Sequence, residues 1–315
     1  MIEIVQMCLY AAAVLIVLAF VCDLTSVTLR HRTAGRAQER ENAMVGAGVG
    51  GAGASGSDVA PGHEAAHLPG APAGTARGKG LAFYGTAFLV IAFALLIASM
   101  IGRAVVTGHG PFSNQHEFAV AFTTGIVGAY LFFLWRYRVR ALALVVLPIA
   151  MGMMLYALTT DSEVRPLIPA LQNNLLPTTH VATAMLAYGA AAVASAAAVL
   201  YLVRPKLKLK ALPSRELLDE IGYRAGVLTF PLLTIMILLG AIWAEIAWGR
   251  YWSWDPKETA SLVTWLIYGG YLHARVARGW VGRGAAWLLV IAFASVIFTF
   301  FGNAIFGGLH SYGVV

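Results

Sequence analysis

Long apolar runs alternate with short polar segments along almost the whole chain. A membrane's hydrocarbon core requires about 20 consecutive apolar residues per helix, and eight runs of about this length have almost no charge in their middles. They lie at about 5–28, 81–107, 117–135, 141–160, 181–203, 225–247, 258–274 and 285–305. The pattern predicts an all-α, polytopic integral membrane protein with about eight transmembrane helices.

Composition supports a membrane protein, and the charges indicate its orientation. Of the 315 residues, 59% are hydrophobic and only 12% are charged, which excludes an ordinary soluble domain. Of the 22 Lys and Arg residues, 18 lie in one alternating set of loops. The other set holds only Arg103, Arg165, Arg250 and Lys257. This asymmetry is the positive-inside pattern, so we expect both termini outside the cytoplasm. A net charge of +7 is compatible with nucleic-acid binding, but its distribution is that of a topology signal, so we expect no nucleic-acid partner.

The chain divides into three parts. Residues 1–28 carry Glu3 before their apolar run, and the first basic residues, Arg30 and Arg32, follow this segment. That order is the reverse of a signal peptide's, so we predict an N-terminal transmembrane anchor helix. Residues 29–80 are predicted to be a flexible cytoplasmic linker, because from residue 41 onward Gly and Ala predominate and large apolar residues are almost absent. Residues 81–315 then form a seven-helix body.

One predicted outer loop is crowded with aromatic residues. Residues 248–255 read WGRYWSWD and contain Trp248, Tyr251, Trp252 and Trp254. Trp and Tyr are enriched at membrane interfaces as anchors, so a plain anchoring role is one interpretation of this loop. Residues 248 and 252 are four apart, so a helical turn would place both indoles on one face.

The sequence after these aromatic residues has the pattern of a helix start. In Asp255-Pro256-Lys257-Glu258, the aspartate is placed as an N-cap, the proline as the first helical residue and Glu258 as the capping-box partner. Helix capping explains why an aspartate stands at residue 255, and the same side chain can also shape a neighbouring site.

Two histidines fall at the same predicted membrane depth as the aromatic loop. His180 begins the fifth helix at the outer face, and His310 follows the eighth helix at that face. Imidazole is the commonest metal ligand, so the combination indicates a planar metal cofactor. Haem fits, because its macrocycle stacks on indole rings and its iron takes two axial nitrogens. Arg250 and Lys257 flank the tryptophans and are candidates to meet the haem propionates.

Three further histidines have ordinary alternative explanations. His273 lies near the cytoplasmic end of the seventh helix, just before a basic run, where a polar side chain can extend to the membrane surface. His109 and His116 lie on the first predicted outer loop and are typical of hydrogen-bonded surface residues. The sequence leaves the roles of His109 and His116 open.

Several motifs together resemble a known family. The run from Gly240 to Ala244, followed by residues 248–259, resembles the tryptophan-rich WWD domain of haem-handling proteins. It is most similar to the CcsA/ResC branch of cytochrome c biogenesis system II. The other matching pieces are Ser113-Asn114 with Glu117, His180, Tyr271-Leu272-His273 and residues 308–313. The resemblance covers residues from about 108 to 315 in the family's order.

The resemblance implies a function and residue roles. It implies that His180 and His310 are the axial ligands of the haem iron, and that His273 is a transmembrane haem site. The residues implied or proposed to hold the haem are Trp248, Arg250, Tyr251, Trp252, Trp254, Asp255 and Lys257. The implied protein is the haem-delivery subunit of a holocytochrome c synthase. It would carry haem b as bound substrate, with no catalytic residue beyond those that position the haem.

The same resemblance implies partners and a location. It implies a ResB-like membrane subunit and an apocytochrome c whose CxxCH motif receives the haem. The expected location is the bacterial plasma membrane rather than the thylakoid, with the active site on the extracytoplasmic side. Two other functions remain open from the residues alone. One is a haem exporter without ligation activity, and the other is a non-haem assembly scaffold whose tryptophans are anchors.

Overall fold

The computed structural model describes residues 1–49, 73–172, 175–206 and 212–311. Within these ranges every regular element is helical, which confirms the all-α prediction. The eight helices are α1 (Ile2–Val49), α2 (Ala73–Thr107), α3 (Gln115–Tyr137), α4 (Ala143–Thr159), α5 (Leu175–Val203), α6 (Arg215–Trp248), α7 (Pro256–Ala277) and α8 (Arg283–Phe306). Two short 3₁₀ turns, Arg140–Leu142 and Pro169–Leu171, precede α4 and α5.

Seven of the described helices are long and apolar enough to cross a membrane, by length and composition. The qualifying segments are Ile2–Thr33, Gly80–Thr107, Gln115–Tyr137, Arg140–Thr159, Leu175–Val203, Arg215–Trp248 and Arg283–Gly302. The prediction of a polytopic membrane protein is therefore confirmed. The apolar run at 258–274 predicts a span for the remaining helix, α7, which is not among these segments. Polar residues such as Ser261 and Thr264 on its buried face lower its hydropathy. The orientation of the termini stays a prediction.

The first helix is longer than its apolar run and packs against the body. It continues to Val49, and α2 starts at Ala73, so the described ends of the predicted linker are helical. Ala, Arg, Gln and Glu, which favour helix, dominate residues 34–44, whereas residues 50–72 lie outside the described ranges. Four buried residues of α1 recur at helical spacing, namely Leu9, Ala12, Ile16 and Ala19. They belong to the same hydrophobic core as α2–α8.

The sixth helix starts earlier than predicted. Its first residue is Arg215, ten residues before the apolar run at 225–247. The sequence of this preceding segment is typical of an amphipathic stretch at the membrane surface. Ser214 caps the helix by accepting a hydrogen bond from the amide of Leu217 at 3.2 Å. A serine cap with an acidic residue in the first turn stabilises a helix N-terminus, so the helix extends beyond the apolar stretch.

Small residues bring α3 and α5 into direct backbone contact. Gly125 of α3 faces Gly189 of α5, and a Cβ on either glycine would collide with backbone atoms of the opposite helix. Close approach through small residues is typical of helix packing in membranes. Because α5 also packs against α6 and α8, it forms the centre of the bundle and positions His180 among four other helices.

Candidate functional site

A partly open cavity lies between α3, α5, α6, α7 and α8, and its empty space of about 940 Å³ includes open solvent at the mouth. We call it the central cavity. His180 and His310 both line it, together with Tyr251, Trp252 and Lys257. The rest of its wall is largely apolar and includes Phe118, Phe122, Met185, Tyr188, Met236 and Phe300. A mostly apolar cavity with a few converging polar groups is typical of a cofactor site.

His180 is held against α6 by a specific contact. Its Nδ1 lies 2.7 Å from the backbone oxygen of Met236. A carbonyl oxygen only accepts hydrogen bonds, so Nδ1 must carry the proton, and the lone pair of the neutral imidazole is then on Nε2. The ring reaches α6 because residue 240 is glycine, where a Cβ would lie 2.7 Å from His180 Cε1. This arrangement presents a nitrogen ligand from a fixed ring.

His310 is held by a carboxylate. Its Nδ1 lies 2.8 Å from Asp255 Oδ1, and the backbone amide of Leu309 donates to Asp255 Oδ2 at 2.6 Å. Burial opposes ionisation of Asp255, but the hydrogen bond and charge of His310 and the amides of Lys257 and Leu309 outweigh it, so the pKa of this carboxyl is below its usual value. An acceptor at Nδ1 again leaves Nε2 as the nitrogen that would bind a metal.

The predicted capping box of α7 is confirmed. Asp255 Oδ1 accepts from the amide of Lys257 at 3.0 Å, and Glu258 Oε2 accepts from the amide of Asp255 at 3.2 Å. Glu258 also accepts from the amide and hydroxyl of Ser253. The box therefore fixes the last part of the aromatic loop as well as the helix start.

Trp243 is a site residue that the sequence interpretation did not assign. Its ring centroid lies 6.1 Å from that of His180 and 5.7 Å from that of His310, so the indole contacts both imidazoles. The side chain is buried, and Nε1 donates to the backbone oxygen of Ala170 at 2.9 Å. Its position five residues before Trp248 was the available signal, but an isolated Trp inside an apolar helix looks like ordinary core.

The four predicted aromatic residues divide between different environments. Trp248 packs on His310, with ring centroids 5.0 Å apart, whereas Tyr251 and Trp252 line the central cavity. Trp254 is 69% exposed and contacts the Trp252 ring edge-on at 5.8 Å. The prediction that residues 248 and 252 share a helical face is wrong, because Gly249 (φ 70°) ends α6 in the left-handed conformation.

The predicted cations and the other histidines are also separated. Lys257 lines the central cavity, with Nζ 5.3 Å from the centre of the Phe118 ring. Arg250 is exposed and is not among the residues lining the cavity.

His273 is exposed on α7, likewise outside the cavity lining. His116 is buried and bonds through Nδ1 to the backbone oxygen of Ala157 at 2.8 Å, and the Nδ1 of His109 contacts the neighbouring Gly110 oxygen.

Comparison with known proteins identifies the family. Residues 112–310, which span the site from α3 to His310, match the model of the cytochrome C assembly protein family. The chain belongs to this family. Family membership assigns the chain a role in cytochrome c biogenesis, as a multi-pass membrane protein.

Curated relatives cover most of the chain. The cytochrome c biogenesis protein CcsA of Gloeothece citriformis (strain PCC 7424) is 36% identical over 287 residues, which cover 73% of this chain and 87% of that protein. CcsA of Guillardia theta is 35% identical over 259 residues, which cover 73% of this chain and 85% of that protein. Because these relatives match over nearly their full length, the similarity extends well beyond the tryptophan-rich motif.

A solved structure shares the fold. Cytochrome c Heme Lyase CcmF superimposes with a TM-score of 0.58 over 93% of this chain, at 17% identity. The chain spans 46% of that longer protein. At this identity the similarity concerns the helical architecture alone.

Proposed function

We propose that this chain is the haem-delivery subunit of a system II cytochrome c synthase. It holds haem b, its bound substrate, in the central cavity and presents it to apocytochrome c at the extracytoplasmic face of a bacterial plasma membrane. One observation carries the proposal. His180 and His310, which are 130 residues apart in the family domain, line one cavity, and each has Nδ1 against a hydrogen-bond acceptor. Histidine ligands of metals typically have this second contact.

The residues of the central cavity fit haem. Two imidazoles can provide both axial nitrogens, and aromatic and thioether side chains surround an apolar macrocycle favourably. Lys257 is a cation within the cavity wall, so we assign to it the main propionate contact. Arg250, which the sequence offers equally, is exposed, so its contact would involve a propionate that extends out of the cavity.

The proposed reaction requires positioning more than acid–base chemistry. A client thiol adds across a haem vinyl group: sulfur bonds to one vinyl carbon and the thiol hydrogen ends on the other, with no leaving group and no oxidant. His180, His310 and the aromatic wall fix the acceptor, so that the client's CxxCH segment meets it in one orientation. The client histidine then takes the place of one of the two axial histidines.

Two elements of the proposal lie outside the central cavity. A ResB-like membrane subunit is proposed as the partner that completes the synthase. His273, exposed on α7, is proposed as a separate haem contact within the membrane. Because this side chain is not part of the cavity wall, its loss would affect haem supply and leave the axial ligation at His180 and His310 intact.

Absorption spectroscopy tests the haem site. After expression with ample haem, the purified protein is expected to show a Soret band. His180→Ala and His310→Ala are each expected to lose haem or shift the band, and added imidazole is expected to restore it. His109→Ala, which changes a histidine outside the cavity lining, is the matched control. Spectra unchanged in both axial variants would refute the assignment.

Covalent attachment separates a synthase from the alternatives. The chain is co-expressed with a ResB-like subunit and a CxxCH-containing client, and covalent haem on the client is detected by haem staining after denaturing electrophoresis. Stained client that requires His180 and His310 supports the synthase. Bound haem without stained client favours an exporter, and a protein that never shows a Soret band favours a scaffold.

A further inference from the structure

Asp255 links two parts of the chain that are far apart in sequence. Its Oδ1 accepts from the Lys257 amide at 3.0 Å and lies 2.8 Å from His310 Nδ1. Its Oδ2 accepts from the Leu309 amide at 2.6 Å. The side chain is buried, with Asp255 only 5% exposed. One carboxylate therefore joins the first turn of α7 to the segment that follows α8.

Gly308 makes this link possible. Its φ of +121° is a conformation that residues with side chains rarely adopt, and a Cβ at this position would collide with Asp255 Oδ2. The backbone thus passes directly over the carboxylate. The segment carrying His310 is consequently placed by Asp255 rather than by its own helix.

The two cavity histidines have acceptors of different charge. His180 Nδ1 donates to the backbone carbonyl of Met236, which is neutral, whereas His310 Nδ1 donates to a carboxylate. A carboxylate acceptor draws the Nδ1 proton more strongly and makes the opposite nitrogen a better electron donor. The two imidazoles are therefore chemically unequal, although both line the same cavity.

We propose that Asp255 is a positioning residue that fixes the His310 ring and makes it the stronger of the two axial donors, which lowers the reduction potential of bound haem. The inference rests on the proposed haem site and deepens it. A stronger donor stabilises ferric over ferrous iron, and hydrogen bonding behind an axial ligand is one of the means by which proteins tune haem potential. Asp255, which is not among the residues lining the central cavity, then acts through His310.

The test compares reduction potentials of the full-length haem-loaded protein. Asp255→Asn keeps a side-chain oxygen for the Lys257 amide and removes the charge behind His310. We expect the midpoint potential to rise and haem retention to weaken by about 10–100-fold, as is common when a ligand's hydrogen-bond partner is changed. Asn114→Ala is the matched control, because Asn114 caps α3 through the Glu117 amide without touching either cavity histidine. The midpoint potential of haem in the Asn114→Ala protein is expected to equal that in the unaltered protein.

A chemical substitution shows whether the effect passes through the imidazole N–H. In His310→Ala protein, the axial position is filled with free imidazole or with 1-methylimidazole, which has no N–H to donate. When Asp255→Asn is added to this His310→Ala protein, the midpoint potential of the haem is expected to shift with imidazole as the ligand. With 1-methylimidazole the same substitution is expected to leave the midpoint potential unchanged. Equal shifts with both ligands, or no shift in the protein that retains His310, would overturn the inference.

The outcomes distinguish this inference from the proposed function. If the unaltered protein shows no haem spectrum, the haem site itself is wrong and the inference falls with it. The other case is that the unaltered protein binds haem, the axial variants do not, and Asp255→Asn leaves the midpoint potential unchanged. In that case only the inference fails.

Discussion

Gly240 of α6 and His180 of α5 are in direct contact, and the missing side chain at residue 240 permits it. A Cβ at this position would lie 2.7 Å from His180 Cε1 and 3.0 Å from Nδ1. Without that atom, Nδ1 reaches the backbone oxygen of Met236, one turn earlier on α6. The glycine therefore fixes where an imidazole enters the central cavity.

We expect Gly240→Ala to displace the His180 ring and to weaken haem binding by about 10–100-fold, because the hydrogen bond that orients the ligand is lost. Haem content and the Soret band of the purified variant provide the measurement. Gly152→Ala on α4 is the control, since a Cβ there meets nothing within 4 Å. Equal haem content in the two variants would contradict the role assigned to residue 240.

Trp243 is expected to be required for both stability and haem binding. Trp243→Ala removes a buried indole that contacts both imidazoles, and such truncations cost about 3–5 kcal/mol. Thermal unfolding and the absorption spectrum should change together. Trp287→Ala, at an exposed position of α8, should change neither. A haem spectrum retained by Trp243→Ala would show that the indole serves only the core.

Haem binding is expected to weaken as pH rises through about 8. Burial lowers the pKa of Lys257, which precedes the apolar part of α7, to about 8, although the charge of Asp255 acts in the opposite direction. A lowered amine pKa means that the cation is present below this pH and lost above it, so attraction for a propionate disappears on the alkaline side. Glu258, His180 and His310 also line this cavity, so a second variant is needed to assign the profile to Lys257.

The Lys257→Arg variant separates the contribution of Lys257 to the pH dependence of haem binding from the contributions of Glu258, His180 and His310. A guanidinium stays protonated throughout this range, so the variant is expected to retain haem above pH 8 better than the unaltered protein. Haem release, measured by absorption across the pH range, provides the comparison. Identical profiles would assign the pH dependence to another group.

A buried ion pair joins α1 to the rest of the bundle. Asp23 of α1, fully buried, pairs with Arg140 at 3.0 Å, and Arg140 also donates to Thr86 of α2 at 2.7 Å. Asp23→Ala is expected to lower the free energy of unfolding by about 3–5 kcal/mol, because it leaves a largely buried cation unpaired. Thermal unfolding in detergent measures the loss.

The exposed pair between Arg165 and Asp161 gives the matched control for that measurement. Asp161→Ala should cost no more than about 1 kcal/mol. A comparable loss in both variants would mean that burial does not determine the effect of the Asp23 pair.

Much of the site could be predicted from local sequence signals. The capping box of α7 is encoded within four residues, because its hydrogen bonds connect neighbours in the chain. His180 and His310 could be placed at one end of the bundle from the alternation of apolar runs alone, since each crossing reverses the chain direction. Helix ends were less predictable, because caps such as Ser214 extend a helix beyond the apolar stretch that marks it.

By itself, the sequence determined the membrane class, the helical architecture and the residue types available at the site, because these follow from apolar length, periodicity and composition. Only the tertiary structure decided which groups touch. It placed Trp243 in contact with both histidines, set Asp255 behind His310, and left His273 and Arg250 outside the cavity lining. Such contacts depend on how helices rotate and how closely they approach, and single glycines at residues 240 and 308 set that approach in ways that local patterns do not reveal.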